Sequence, residues 1–286
     1  MAARKTIRRV TKPEPSTKQR LTAESLNIAQ PELLLSEKEY ADGLAEYFDL
    51  LFPDSIVERM YKPFFRMMVE KHGVTSVCDL ACRSGQSLKM LSALGVKKLC
   101  GMDISAKMLQ LAKKKTPKNV KYIIADLASA PRSAGKNKYD LVICTKDALP
   151  VVLDDEALIN FFKDSRALLT DKGIMVIEMM NYEKVWRNKE RFMPVMDRSL
   201  AKTGRLFFFM NDFHEELIVR NLMHLQKDKQ EWFLKPLSVP ARPIVPAEVE
   251  FFLQEAQFSR WTFLGSYTGK PFIEMESTHL IVVARK

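Results

Sequence analysis

Apolar residues along this chain fall into two alternating rhythms between positions 74 and 180. Short β-prone runs at 74–80, 98–104, 120–125, 139–144 and 174–179 are mainly apolar, as in strands of a covered parallel sheet. The stretches between them repeat every three or four positions. Leu88, Leu91 and Leu94 share one helix face; so do Met108, Leu109, Leu111 and Ala112, and later Leu158, Phe161, Phe162, Ala167 and Leu168. Strand and helix in regular alternation predict an α/β domain with a parallel sheet. Ser105 reads as a helix cap, and Lys113, Lys114 and Lys115 close that helix where cations suit the dipole. Thr170-Asp171-Lys172-Gly173 predicts a turn into the fifth strand.

Flanking this block the pattern changes. Ahead of it, 37–52 and 54–71 each predict a helix, the first capped by Ser36 with Glu39 three positions on. After it, the β-prone runs 205–213, 217–225 and 231–239, parted by turns, predict an antiparallel meander rather than a sheet crossover. A helix over 246–257 and strands over 258–266 and 278–284 close the chain. The expected organisation is a disordered basic tail over 1–30 and a domain over 36–286. That domain divides into a helical segment (36–72), a core (74–180), a β insertion (181–240) and a closing segment (241–286).

Three acids stand in register. Asp79, Asp103 and Asp126 each lie at the carboxyl end of a predicted parallel strand, where open α/β sheets bind ligands. Between the first two, residues 81–85 form a turn of small residues interrupted by Arg83. Such a turn admits a ligand to backbone N–H groups at a positive helix end, and an acid about 20 residues on accepts hydrogen bonds from a ribose diol.

The stretch Asp79-x-Ala81-x-Arg83-x-Gly85 resembles motif I of the class I S-adenosylmethionine-dependent methyltransferases, usually acid-x-Gly-x-Gly-x-Gly. The resemblance extends from about residue 40 to the terminus. It is supported by Asp103, Asp126, the Tyr139-Asp140-Leu141-Val142 strand and the closing helix and strands. It departs at Arg83, which stands where the family has its second glycine, either crowding the cofactor or binding its carboxylate. What the resemblance implies is a Rossmann-like sheet with helices on both faces, an antiparallel last strand and an antiparallel β insertion after strand five. It further implies an S-adenosylmethionine pocket formed by Asp79, Ala81, Arg83, Gly85, Asp103, Ile104, Asp126, Leu127 and Cys144. Asp147 and the Asn181-Tyr182 pair match acceptor-side positions of small-molecule members, in the style of the glycine and sarcosine N-methyltransferases. The Asn/Asp-Pro-Pro-aromatic motif of nucleic-acid base N-methyltransferases is absent after the fourth strand.

Charge and cysteine use complete the reading. Of the net +10, a concentrated part lies in Arg4, Lys5, Arg8, Arg9, Lys12, Lys18 and Arg20, ahead of any globular pattern. This is a solvated tail or an electrostatic contact with nucleic acid or a ribosome. Cys78, Cys82, Cys100 and Cys144 fit no zinc spacing, so no metal is expected and reduced cytoplasmic thiols are. No apolar run is long enough to span a bilayer, so no membrane partner is expected. The four histidines are scattered, and no catalytic residue is assigned. Three functions stay open: methyl transfer to a small-molecule N or O acceptor, methyl transfer to protein or RNA docked on the tail, and a non-catalytic binding module. A NAD-dependent dehydrogenase fits less well, because the glycine pattern differs and no Tyr-x-x-x-Lys occurs.

Overall fold

A computed structural model gives the structure of the protein and describes residues 34–199, 204–229 and 231–286. The basic stretch 1–30 lies outside the described residues. The chain opens with α1 (Glu37–Leu44), whose capping box joins Ser36 and Glu39 as the sequence predicts. The single helix expected over 37–52 is instead broken, and α2 (Phe48–Leu51) follows it. At the break Tyr47 leaves helical geometry and places its ring 4.3 Å from that of His224. Next come α3 (Asp54–Ile56), a π turn (Val57–Tyr61) and α4 (Lys62–His72), which ends on left-handed Gly73. The π turn sits just ahead of Pro63, which has no N–H to donate back to the preceding turn.

The sheet begins with β1 (Ser76–Leu80), α5 (Gln86–Ala93), β2 (Lys98–Asp103), α6 (Ala106–Lys115) and β3 (Lys121–Ile124). A short α7 (Ala130–Ala134) then leads to β4 (Tyr139–Cys144), α8 (Asp155–Leu168), β5 (Leu169–Met180) and α9 (Tyr182–Asn188). The expected turn at 170–173 lies inside β5 as a bulge. Tyr139 pairs with Leu169 but Leu141 pairs with Ile174, so the extra residues loop out without ending the strand.

A second sheet comprises β6 (Met196–Asp197), β7 (Arg205–Phe213), β8 (Ile218–Asp228) and β9 (Glu231–Ala241), paired antiparallel in that order. The meander is as predicted. The chain closes with α10 (Pro246–Glu255), β10 (Arg260–Leu264) and β11 (His279–Arg285). The main sheet has the order β3-β2-β1-β4-β5-β11-β10; β1 to β5 are mutually parallel and β11 runs antiparallel to β5.

Alternation within the strands explains why both faces carry helices. Leu141 and Ile143 of β4, with Ile174 and Val176 of β5, join the core under α4, α5 and α6. Val142 and Cys144, with Met175 and Ile177, join the core under α8 and α10, where Phe162 stacks on Phe252. A third cluster joins α1 and α2 to the inner face of the second sheet through Tyr40, Leu44, Phe48, Phe207, Leu222 and Leu237. Gly43 permits that approach: a Cβ there would meet Leu237 Cδ2 at 2.9 Å.

Candidate functional site

The turn after β1 alternates its handedness. Ala81, Arg83 and Gly85 all have positive φ, at 62°, 53° and 77°. Backbone bonds from Cys82 to Met102 O (2.7 Å) and from Gly85 to Cys82 O (2.9 Å) hold the turn against the end of β2. Asp103 completes it. Its Oδ2 accepts the Arg83 N–H and its Oδ1 accepts the Ser105 N–H, each at 2.9 Å. An ionised carboxylate has further acceptor capacity on each oxygen, and Asp103 faces the cleft.

The cleft lies at the carboxyl ends of β1 to β4. Ala81 and Arg83 line it from the turn, Asp103 and Ile104 from the end of β2, Ala125 and Leu127 from the end of β3, and Ala148 and Val151 from beyond β4; Glu37 and Tyr40 of α1 cover it. Two hydrogen bonds tie the covering helices down: Ser105 Oγ to Asp42 Oδ1 at 2.6 Å, and Ser84 Oγ to Asp49 Oδ1 at 2.7 Å.

The expected cofactor residues divide into groups. Ala81, Arg83, Asp103, Ile104 and Leu127 meet at the cleft. Asp126, two residues past β3, accepts both the N–H and the hydroxyl of Ser129 at 2.8 Å. Gly85 packs against α6, where a Cβ would meet Ala112 Cβ at 2.8 Å. Asp79 and Cys144 are buried beneath the cleft, with Cys144 in the core.

Charge is concentrated here. Burial pushes the Asp79 carboxyl up to about 7, opposed by Lys146, and its Oδ1 has no partner among the described residues. Burial likewise raises Asp103, against the pull of Arg83. Glu37 is pushed up to about 7 by burial, with Arg83 opposing and Asp126 and Asp103 adding to the shift. Arg83 is 8% exposed and its Nε is without a partner among the described residues.

A second cluster lies past the ends of β4 and β5. Lys146 and Asp147 both take left-handed φ of 58°, a strained geometry that recurs at functional sites. Asp147 Oδ1 accepts the Met180 N–H at 3.1 Å; its Oδ2 accepts the Tyr182 hydroxyl at 2.9 Å and pairs with Arg220 Nη1. Burial pushes the Tyr182 hydroxyl up and Asp147 adds to it, so the ring stays protonated. Burial works against the Arg220 charge, but Tyr182 and Asp147 outweigh it and raise its pKa. Lys146 Nζ donates to Ser87 Oγ at 2.9 Å, and burial lowers its pKa.

The expected acceptor residues therefore separate. Asp147 and Tyr182 come together, whereas Asn181 is taken up by the Glu274 and Ser277 carbonyls (2.6 and 2.8 Å) and by capping α9. Sequence reasoning missed Glu37, Tyr40, Lys146 and Arg220. Arg220 carried a signal, as the one charge inside the apolar run 217–225. Glu37 carried none, because a first-turn acid is common on any helix.

The residues present fit S-adenosylmethionine. Asp103 retains acceptor capacity for a ribose diol, the unpartnered Arg83 Nε suits a carboxylate, and Ile104, Leu127 and Ala148 flank the cleft with apolar surface. Among the described residues no cluster of three or more His, Cys, Asp or Glu is placed to hold a metal. No helix there is long and apolar enough to cross a membrane.

Comparison with known proteins agrees with this fold. Residues 77–173 match the family model described as a methyltransferase domain. An uncharacterized protein of Methanocaldococcus jannaschii is 29% identical over 151 residues, which are 52% of this chain and 54% of that protein. The chain thus spans about half the length of that relative. Human glycine N-methyltransferase is 25% identical over 210 residues, covering 65% of this chain and 67% of that enzyme. The solved CcbJ methyltransferase of Streptomyces caelestis superposes with a TM-score of 0.67 at 19% identity, covering 88% of this chain and 99% of that one. The chain has the fold of the class I S-adenosylmethionine-dependent methyltransferases.

Proposed function

We propose that this protein is an S-adenosylmethionine-dependent methyltransferase acting on a nitrogen or oxygen of a small molecule. The observation that carries the reading is Asp103, held by two backbone N–H groups at the edge of a cleft that Arg83 also lines. Asp103 would hold the ribose hydroxyls and Arg83 the carboxylate. Ile104, Leu127 and Ala148 would flank the apolar parts. When bound, the cofactor supplies a methyl group already activated by its sulfonium, so the protein needs to place an acceptor and exclude water rather than provide a nucleophile.

This chain's own residues support that division of labour. The ties from Asp42 to Ser105 and from Asp49 to Ser84 hold α1 and α2 over the cleft and limit its access to water. Asp147, Tyr182 and Arg220 bring the ends of β4 and β5 and the second sheet together as one fixed assembly. We place the acceptor beside that assembly.

A second reading is kept by one observation. The Arg83 side chain occupies the glycine turn, as a binding module with a closed cofactor site would require. Calorimetric titration of the full-length protein with S-adenosylmethionine, S-adenosylhomocysteine and NAD separates the readings. Micromolar binding of the first two, without NAD binding, is expected. A well-folded protein that binds neither would overturn the methyltransferase reading and leave the binding module.

A further inference from the structure

Among the described residues the Arg220 side chain makes all its hydrogen bonds from one nitrogen. Nη1 donates to Asp147 Oδ2, to Asp147 O at 3.3 Å and to Tyr182 Oη at 3.1 Å. Nε is buried without a partner among the described residues, and Nη2 donates to none of them. The side chain is 10% exposed. A guanidinium recognises a carboxylate best through two parallel N–H donors in one plane, and Nε with Nη2 is such a pair. Here that edge is left over after Asp147 has fixed the other end of the group.

Leaving a buried donor unpaired is costly, so a native structure that keeps one calls for an occupant. A purely structural clamp between β8 and the end of β4 would be served by Nη1 alone. Arg220 projects from the inner face of the second sheet, the face that carries Leu222 and Phe207 onto α1 and α2. Tyr40, which lines the cofactor cleft, is among the groups acting on its charge.

We propose that the Nε–Nη2 edge of Arg220 binds a carboxylate of the methyl acceptor, so that the acceptor is a small carboxylic acid bearing the nitrogen or oxygen to be methylated. Asp147 and Tyr182 position the guanidinium; Arg220 selects the substrate. The inference rests on the methyltransferase reading for the word acceptor, while the anion site itself stands apart from it.

The test uses propionate and benzoate, with propionamide and benzamide as neutral counterparts of the same shape. Each is titrated calorimetrically into the full-length wild-type protein, Arg220→Lys and Arg83→Ala. Arg220→Lys keeps a cation for Asp147 but removes the planar fork. The expected result is millimolar binding of the carboxylates and none of the amides, weakened about tenfold or more by Arg220→Lys and little changed by Arg83→Ala. Carboxylates that bind wild type no better than amides overturn the assignment, with no variant needed. So does loss in Arg83→Ala with retention in Arg220→Lys, which moves the anion to the cofactor turn. S-adenosylmethionine titrated separately reports on the methyltransferase reading, so either idea fails visibly without the other.

Discussion

The backbone N–H of Arg83 donates to Oδ2 of Asp103 at 2.9 Å, joining the turn after β1 to the end of β2. The bond comes from the main chain, so the turn closes on this acid although an arginine stands at a glycine position of the motif. Asp103 Oδ1 has a backbone donor as well, from Ser105. Asparagine at this position has to aim its NH₂ at one of those two N–H groups. Asp103→Asn is therefore expected to cost about 1–3 kcal/mol of stability in urea denaturation. It should also weaken S-adenosylmethionine about tenfold or more by calorimetry. A stable Asp103→Asn protein with undiminished affinity would show that the acid neither closes the turn nor meets the cofactor.

Glu37 brings a titratable group near neutrality into the cleft. Burial sets its pKa at about 7, with Arg83 pulling it down and Asp103 and Asp126 pushing it up. Between pH 6 and pH 8 it passes from mostly neutral to mostly ionised. S-adenosylmethionine carries a sulfonium charge that S-adenosylhomocysteine lacks, so a newly ionised Glu37 favours the former. The ratio of the two affinities is expected to rise about three- to tenfold over that range. Glu37→Gln should flatten the rise, and comparing both ligands cancels pH effects that they share. A ratio that climbs equally in Glu37→Gln would assign the titration to another group.

The main sheet was legible because its central strands are buried on both faces and its helices on one. Val142 and Cys144 face one core while Leu141 and Ile143 face the other, and each helix shows a single apolar stripe. The places that resisted reading are those where a distant partner decides local geometry. Tyr47 breaks the first helix to reach His224, far along the chain in β8. The turn-like Thr170-Asp171-Lys172-Gly173 bulges because Tyr139 and Leu141 keep β5 paired across it. In the site, the acids at strand ends follow from strand boundaries. Arg220 meets Asp147 only through the docking of a second sheet, a relation that no sequence spacing encodes.

Asp79 is expected to make stability depend on pH in a specific direction. Its carboxyl is raised to about 7, with burial the leading cause, while an unfolded aspartate titrates near 3.9. Between those values the folded state binds the extra proton, so stability falls as pH rises from about 4 to 7 and levels off above. Other carboxylates act in the opposite sense, Asp140 among them, since the backbone and hydroxyl bonds it accepts from Thr75 and Ser76 hold its pKa down. The clean measure is the difference between wild type and Asp79→Asn. Urea denaturation at pH 5 and pH 8 should show the variant gaining on wild type by a few kcal/mol at the higher pH. A constant difference across that range would mean that Asp79 titrates as an ordinary carboxylate.

Gly85 marks where helix packing rather than ligand approach explains a motif residue. It has φ of 77°, and a Cβ there would stand 2.8 Å from Ala112 Cβ, 3.0 Å from Ala112 Cα and 3.2 Å from Thr116 Cγ2. Gly85→Ala therefore meets two costs. The left-handed backbone costs an alanine about 1–2 kcal/mol, and the overlap with α6 costs about 1–3 kcal/mol more. Removing the Ala112 methyl relieves part of the second cost only. Ala112→Gly alone loses about 1 kcal/mol of helix propensity. In that background, Gly85→Ala should cost about 1 kcal/mol less than in wild type, a coupling within reach of a double-mutant cycle. No coupling would put the whole penalty on φ. Because the clash points at α6 and away from the cleft, folded Gly85→Ala should keep its S-adenosylmethionine affinity within about threefold. A larger loss would show that the ligand itself approaches Gly85.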